Sequence, residues 1–293
     1  GLSTALALLK GSTTLQTLDL HLRGWRKQRN RRHIGEALAE ALAMLKGSTT
    51  LQTLELHLRG NQIGDAGAQT LALLKESKTI QTLHLCLCFN RIGVAGAEAL
   101  ATLKESETLQ TLYLNLADDQ IGDAGAQALA TLKESKILRT LHLGLCFNGI
   151  KDAGAEALAT LKESETLQTL YLNLADNHIT EAGAQALATL MESSTLQTLN
   201  LDLSRNVIRD ARALEVQKSR SNIRDLHLPL DCLCQGPRMS APIPINCPKR
   251  GHYTNIATGE ILYDTDLSDT ESSESESGSE SGWRMEDESS DRE

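Results

Sequence analysis

Four ring-bearing side chains recur at one interval: His84, Tyr113, His142 and Tyr171 stand 29 residues apart. Each lies between two leucines, as in Leu112-Tyr113-Leu114. Rings in that pattern can do one of two things. They can anchor a protein partner, because Tyr offers a large, fairly rigid contact with a hydrogen-bonding tip. Alternatively, they can stack across neighbouring strands and stabilise a sheet. Nearer the amino end, Asp19 and His21 are matched by Glu55 and His57, 36 residues further on. Two imidazoles and two carboxylates on adjacent strands are donors that zinc accepts. A solvated face needs the same residue types, so no metal is assigned to them. Cys232, Cys234 and Cys247, with His252 nearby, depart from zinc-knuckle spacing and are read as part of a closing cap. No Ser-His-Asp set and no metalloprotease helix motif is present. The Gly-Asp-Ala-Gly-Ala text at 64–68 and 122–126 recurs as helix-packing glycine, not as a phosphate loop. The chain is therefore read as non-catalytic, with no cofactor.

Such residues need a frame that sets positions 29 apart side by side. Leu15, Leu51, Ile80, Leu109, Leu138, Leu167 and Leu196 mark it, with one gap of 36 and then five of 29. Each opens a stretch such as Leu109-Gln110-Thr111-Leu112-Tyr113-Leu114-Asn115-Leu116, the alternation of a strand with one buried face. After a polar turn comes Ile121, then Ala124, Ala128, Leu129 and Leu132 at helical spacing. Asp123 is placed to cap that helix, and Lys133 lies near its carboxyl end, where positive charge is favoured. Eight strands begin near Leu18, Leu54, Leu83, Leu112, Leu141, Leu170, Leu199 and Leu226. Residues 88–135 and 146–193 are nearly the same text, a duplication of two units. One unit cannot bury its own Leu face. Stacked units can, with a parallel sheet on the inside of a curve and helices outside.

The run Leu112-Tyr113-Leu114-Asn115-Leu116 through Asp119-Gln120-Ile121, followed by Ala124-Gly125-Ala126 and Leu129, resembles leucine-rich repeats of the ribonuclease-inhibitor type. The resemblance covers about residues 1–233. It implies an α/β horseshoe solenoid with a concave parallel sheet and convex helices. An additional Leu-x step lengthens the strand relative to the family norm. The family's loop Asn stands at Asn61, Asn90, Asn148, Asn177 and Asn206 and becomes Asp119 once. In the family that side chain satisfies buried backbone groups. The resemblance also implies protein recognition on the inner surface, as in ribonuclease inhibitors and the sensor regions of NOD-like receptors. The alternative it raises is a GTPase-activating protein for a Ran-like small GTPase, which pairs such repeats with an acidic tail.

Residues between the leucines must point away from the core. They form three columns. The first reads Asp19, Glu55, His84, Tyr113, His142, Tyr171, Asn200, His227. The second reads His21, His57, Cys86, Asn115, Gly144, Asn173, Asp202, Pro229. The third reads Arg23, Arg59, Cys88, Ala117, Cys146, Ala175, Ser204, Asp231. Glu55, His57, His84, Tyr113, Asn115, His142, Tyr171 and Asn173 are taken as the partner-binding set. Cys88 and Cys146, two strands apart, are too distant for a disulfide, and Cys86 and Cys88 are poorly placed within one strand.

Composition sets the remaining expectations. The chain has 293 residues, of which 52 are Leu, 40% are hydrophobic and only 3% are aromatic, so the core is aliphatic. No apolar run approaches the roughly 18 residues of a membrane span. The chain opens inside a repeat and reads as truncated at the amino end. Residues 264–293 carry 12 acidic and 2 basic groups, a net of −10, leaving +1 for the other 263. That body lacks the basic stripe of a nucleic-acid binder. Six cysteines in a chain this long fit free thiols in a reducing compartment, cytoplasmic or nuclear. The step from the first strand to its helix holds a basic insertion at 24–33. Its Trp25, Arg26, Lys27, Arg29, Arg31 and Arg32 suit phosphate groups or an acidic protein segment. All five prolines fall between Pro229 and Pro248, so 234–263 reads as an irregular cap or linker. From Asp264 the Ser/Glu-rich text has little to bury and reads as disordered. Ser268, Ser273, Ser277 and Ser290 each have Glu three residues on, a pattern similar to acidophilic kinase sites. The whole is read as a monomeric scaffold for a protein partner, with no membrane or nucleic-acid role.

Overall fold

The computed structural model describes residues 2–22, 24, 34–228, 252–254 and 261–263. The chain divides into two compact units, Gly1–Met239 and Ser240–Glu293. The first unit alternates helix and strand. Its strands are β1 Thr17–His21, β2 Thr53–His57, β3 Thr82–Cys86, β4 Thr111–Asn115, β5 Thr140–Gly144, β6 Thr169–Asn173, β7 Thr198–Asp202 and β8 Asp225–His227. Its helices are α1 Leu2–Lys10, α2 Ile34–Ala43, α3 Gly64–Ala72, α4 Val94–Ala101, α5 Gly122–Ala130, α6 Asp152–Ala159, α7 Glu181–Ala188 and α8 Arg212–Arg220. The eight strands form one parallel sheet in sequence order, β1 to β8. In the second unit β9, His252–Thr254, pairs antiparallel with β10, Ile261–Tyr263, where the sequence reads as irregular.

One repeat advances the chain by one strand, so equivalent residues pair: Leu83 with Leu112, His84 with Tyr113, Leu85 with Leu114. Leucines of this parity are buried, including Leu83, Leu85, Leu112, Leu114, Leu141 and Leu143. They meet Ile92, Ala97, Leu100, Leu103 and their repeats from the helical side in one continuous core. Backbone pairing runs past the strand ends. Beyond β4, Leu116 N donates to Gly144 O (2.8 Å) and Asp118 N to Cys146 O (3.0 Å), continuing the parallel ladder. Glycine inside the helices permits the close fit. A Cβ on Gly125 would stand 2.6 Å from Ile121 Cγ2.

The helix cap differs from the expectation. Asp123 lies inside the first turn of α5 and makes no cap there. Its Oδ1 instead accepts from Lys151 N (2.7 Å) and Gly154 N (3.0 Å), at the start of α6 in the next repeat. Asp65 does the same for Gly93 N and Gly96 N at α4, and Asp152 for Thr180 N and Gly183 N at α7. The carboxylate satisfies orphan donors at the positive end of its neighbour, so the cap is also a link between repeats. Lys133 likewise serves its neighbour: its Nζ lies 2.6 Å from Glu163 Oε2. Lys46–Glu76, Lys75–Glu105, Lys104–Glu134 and Lys162–Glu192 extend the same rail.

The loop residues form a second rail inside the turns. Asn90 Nδ2 donates to Leu58 O (2.9 Å) and Leu87 O (2.7 Å), while its Oδ1 accepts from Asn61 N (2.8 Å) and Ile63 N (3.3 Å). Asn148 and Asn177 repeat the pattern with Leu116 O and Leu145 O as acceptors. Asp119 keeps half of it. Its Oδ1 accepts from Asn90 N (2.9 Å) and Ile92 N (3.0 Å), and its buried Oδ2 has no partner.

Candidate functional site: the open face of the sheet

The face of the sheet opposite the core is built from the first two columns. Parity alone puts them there, and the register sets them side by side: Glu55 with His84, His84 with Tyr113, Tyr113 with His142, His142 with Tyr171. The rings touch in sequence. Centroids are 5.5 Å apart for His84–Tyr113, 4.1 Å for Tyr113–His142 and 4.0 Å for the parallel His142–Tyr171 stack. The ladder also crosses columns, a feature that the columns themselves do not suggest. His57 meets His84 edge-on at 5.0 Å, and His21 stacks on His57 at 4.1 Å. Six rings on six consecutive strands thus form one strip, half-buried except for the exposed His21.

The strip is uncharged at its centre. Burial pushes the His84 imidazole down to about 4, and the charge of His57 adds to this. Burial likewise takes His142 down to about 3. The phenol of Tyr113 moves up for the same reason. His57 goes the other way. A hydrogen bond with the Cys86 thiol raises it, helped by the carboxylates of Asp19 and Glu55 and opposed by burial. His57 Nε2 lies 3.5 Å from Asp19 Oδ1, and His21 Nε2 lies 3.2 Å from Asp19 Oδ2. The face is therefore ionic at β1–β2 and neutral-aromatic over β3–β6.

Other residues proposed from the sequence lie differently. Asn115 and Asn173 are on the face, but each carboxamide oxygen accepts from the backbone two residues on, at Ala117 N and Ala175 N (both 3.0 Å). Parity predicts that Cys86, Cys88, Ala117, Cys146 and Ala175 are displayed; all are buried. Parity fixes the side of the sheet but not exposure, and neighbouring side chains cover these short residues, as His57 and Cys88 do at Cys86. Cys86 and Cys88 are near each other, with Sγ atoms 3.7 Å apart, and neither is bridged. Their contact, with His57, draws the Cys86 thiol down to about 5, while Cys88 is pushed up by sharing with Cys86 and by burial. The basic-loop residues Trp25, Arg26, Lys27, Arg29, Arg31 and Arg32 lie outside the described residues, as do Arg23, Pro229, Asp231 and the serines 268, 273, 277 and 290. No helix among the described residues is long and apolar enough to cross a membrane.

A Leucine Rich repeat family model matches residues 48–72, 106–130, 135–159 and 166–188. With the eight-stranded parallel sheet, this makes the fold a leucine-rich repeat solenoid, a class that serves generally as an interaction module. No curated protein matches the chain. Among solved structures, one described as Leiomodin-1 Actin-Binding Site 2 (ABS2) is similar at 23% identity. That match covers 45% of this chain and 70% of that one, with a TM-score of 0.34.

Proposed function

We propose that this protein is a non-catalytic scaffold whose repeats are of the ribonuclease-inhibitor type and whose inner sheet face binds a protein partner. One observation carries the reading: a strip of rings, neutral over β3–β6, lies half-exposed on a face whose core is complete without it. Desolvating neutral rings costs little compared with desolvating charges. Tyr113 and Tyr171 are the rigid anchors, with Glu55 and His57 at one end providing charge for orientation. The subclass reading is supported by the helix in each unit and by the turn Asn that holds two repeats together.

The test separates anchoring from sheet stabilisation. The full chain, the Tyr113→Ala/Tyr171→Ala variant and a Lys104→Ala control on the opposite side are compared for partner capture and melting temperature. Capture is expected to survive in the control and to fall at least about tenfold in the double variant, as hot-spot loss implies. Its melting temperature should barely change. A double variant that melts much lower, or binds as before, removes the proposal.

A further inference from the structure

We infer that Glu55, His57 and His84 hold a divalent transition-metal ion, zinc in the first instance, in an open three-ligand site on the sheet face. The inference does not rest on the partner-binding reading. It rests on convergence: one ligand atom from each residue falls within 4.8 Å of the others, although the residues come from β2 and β3. Sheet geometry produces this. Glu55 pairs in register with His84, and His57 is two residues beyond Glu55 on the same face. Three neighbouring lattice points thus carry two imidazoles and a carboxylate, the donor set of open zinc sites with a fourth position left for water.

Ring geometry selects this trio over its neighbour. Asp19, His21 and His57 also bring ligand atoms within 4.8 Å. However, His21 and His57 are stacked, 4.1 Å apart at 8°. Parallel stacked rings carry their lone pairs side by side instead of towards one point. Two imidazoles bound tetrahedrally to one zinc at about 2.05 Å hold their centroids about 5 Å apart. His57 and His84 stand at 5.0 Å with an interplanar angle of 67°. The second sphere is present as well. Asp19 Oδ1 lies 3.5 Å from His57 Nε2, a carboxylate partner of the kind that orients a ligating histidine through its other ring nitrogen. Glu55 Oε2, 3.7 Å from His84 Nδ1, is a short rotamer shift from a shared ion.

Isothermal titration of chelator-treated full chain with zinc chloride tests this. It is run on the wild type and on a Cys232→Ser/Cys234→Ser/Cys247→Ser background that removes competing thiols. One zinc per chain is expected, unchanged in the background. On that background, His57→Ala should abolish uptake, and Glu55→Gln and His84→Gln should each weaken it more than about tenfold. His21→Gln should leave it within about threefold. Cobalt should give the visible bands of a tetrahedral nitrogen–oxygen site, lost in His84→Gln. Circular dichroism checks that each variant is folded; the half-exposed Glu55→Gln keeps the test intact if His57→Ala is not. The assignment is overturned if the background takes up no zinc, if His84→Gln binds as tightly as its parent, or if His21→Gln loses as much as His84→Gln.

Discussion

Asp119 occupies a place where its fellow repeats use Asn, and replacing it should strengthen the protein. In Asn90 and Asn148 the amide donates to carbonyls of the same and the preceding turn. The equivalent oxygen of Asp119 is a buried acceptor facing positions that call for a donor. Burial therefore raises this carboxyl to about 8 from an ordinary 3.8, although backbone N–H bonds from Ile92, Asn90 and Arg91 oppose the shift. Between those values the unfolded chain has lost the proton and the folded chain keeps it. The native state binds more protons, so unfolding free energy falls as pH rises through this window and is level above about 8. At roughly 1.4 kcal/mol per unit, the cost accumulated by pH 7 is on the order of 4 kcal/mol, and relaxation around the site reduces it. Asp119→Asn should remove the penalty and supply the missing donor. We expect a gain of about 2–4 kcal/mol at pH 7, or a melting temperature higher by roughly 5–10 °C. Thermal and urea unfolding followed by circular dichroism at pH 5, 7 and 9 would measure it. The gap between variant and wild type should be small at pH 5 and widest at pH 9. A variant less stable than wild type at pH 7, or a gap that ignores pH, would refute the reasoning.

The converse substitution, Asn148→Asp, should create the same defect and lower the urea midpoint at pH 7 with partial recovery at pH 5. His84 and His142 carry depressed values because they are buried, so their contribution is present above the unfolded pKa near 6.5 and is lost as pH falls below it. In Asp119→Asn, where the opposing carboxyl is gone, stability should decline between pH 6.5 and 4. His84→Gln/His142→Gln should flatten that decline in the same unfolding assay. Gly125→Ala places a methyl 2.6 Å from Ile121 Cγ2 and should cost about 1–3 kcal/mol by chemical denaturation. Lys104→Ala breaks only an exposed contact to Glu134 and should change stability by less than about 1 kcal/mol, with no difference left at 1 M salt.

The 29-residue period, the leucine alternation and the resulting parity are legible in the amino-acid text. In a solenoid one repeat of chain is one step of the sheet, so a residue's neighbours are its own equivalents. Periodicity alone therefore places Tyr113 beside His142, with Leu114 on the opposite, buried side. Interactions that cross between repeats by another route are not legible in this way. Local capping rules assign Asp123 to its own helix; it lies within the first turn of α5, and its Oδ1 accepts from Lys151 N and Gly154 N of the next repeat. Cys88 and Cys146 have the parity of displayed residues but lie buried, because parity fixes direction and not exposure. The meeting of His57 with His84 falls on a diagonal that the columns do not contain. Sequence periodicity thus determined which side of the sheet each residue occupies, since a period of two leaves no choice. Tertiary structure decided which of those residues touch, because contact depends on side-chain length and on the few ångströms between stacked repeats.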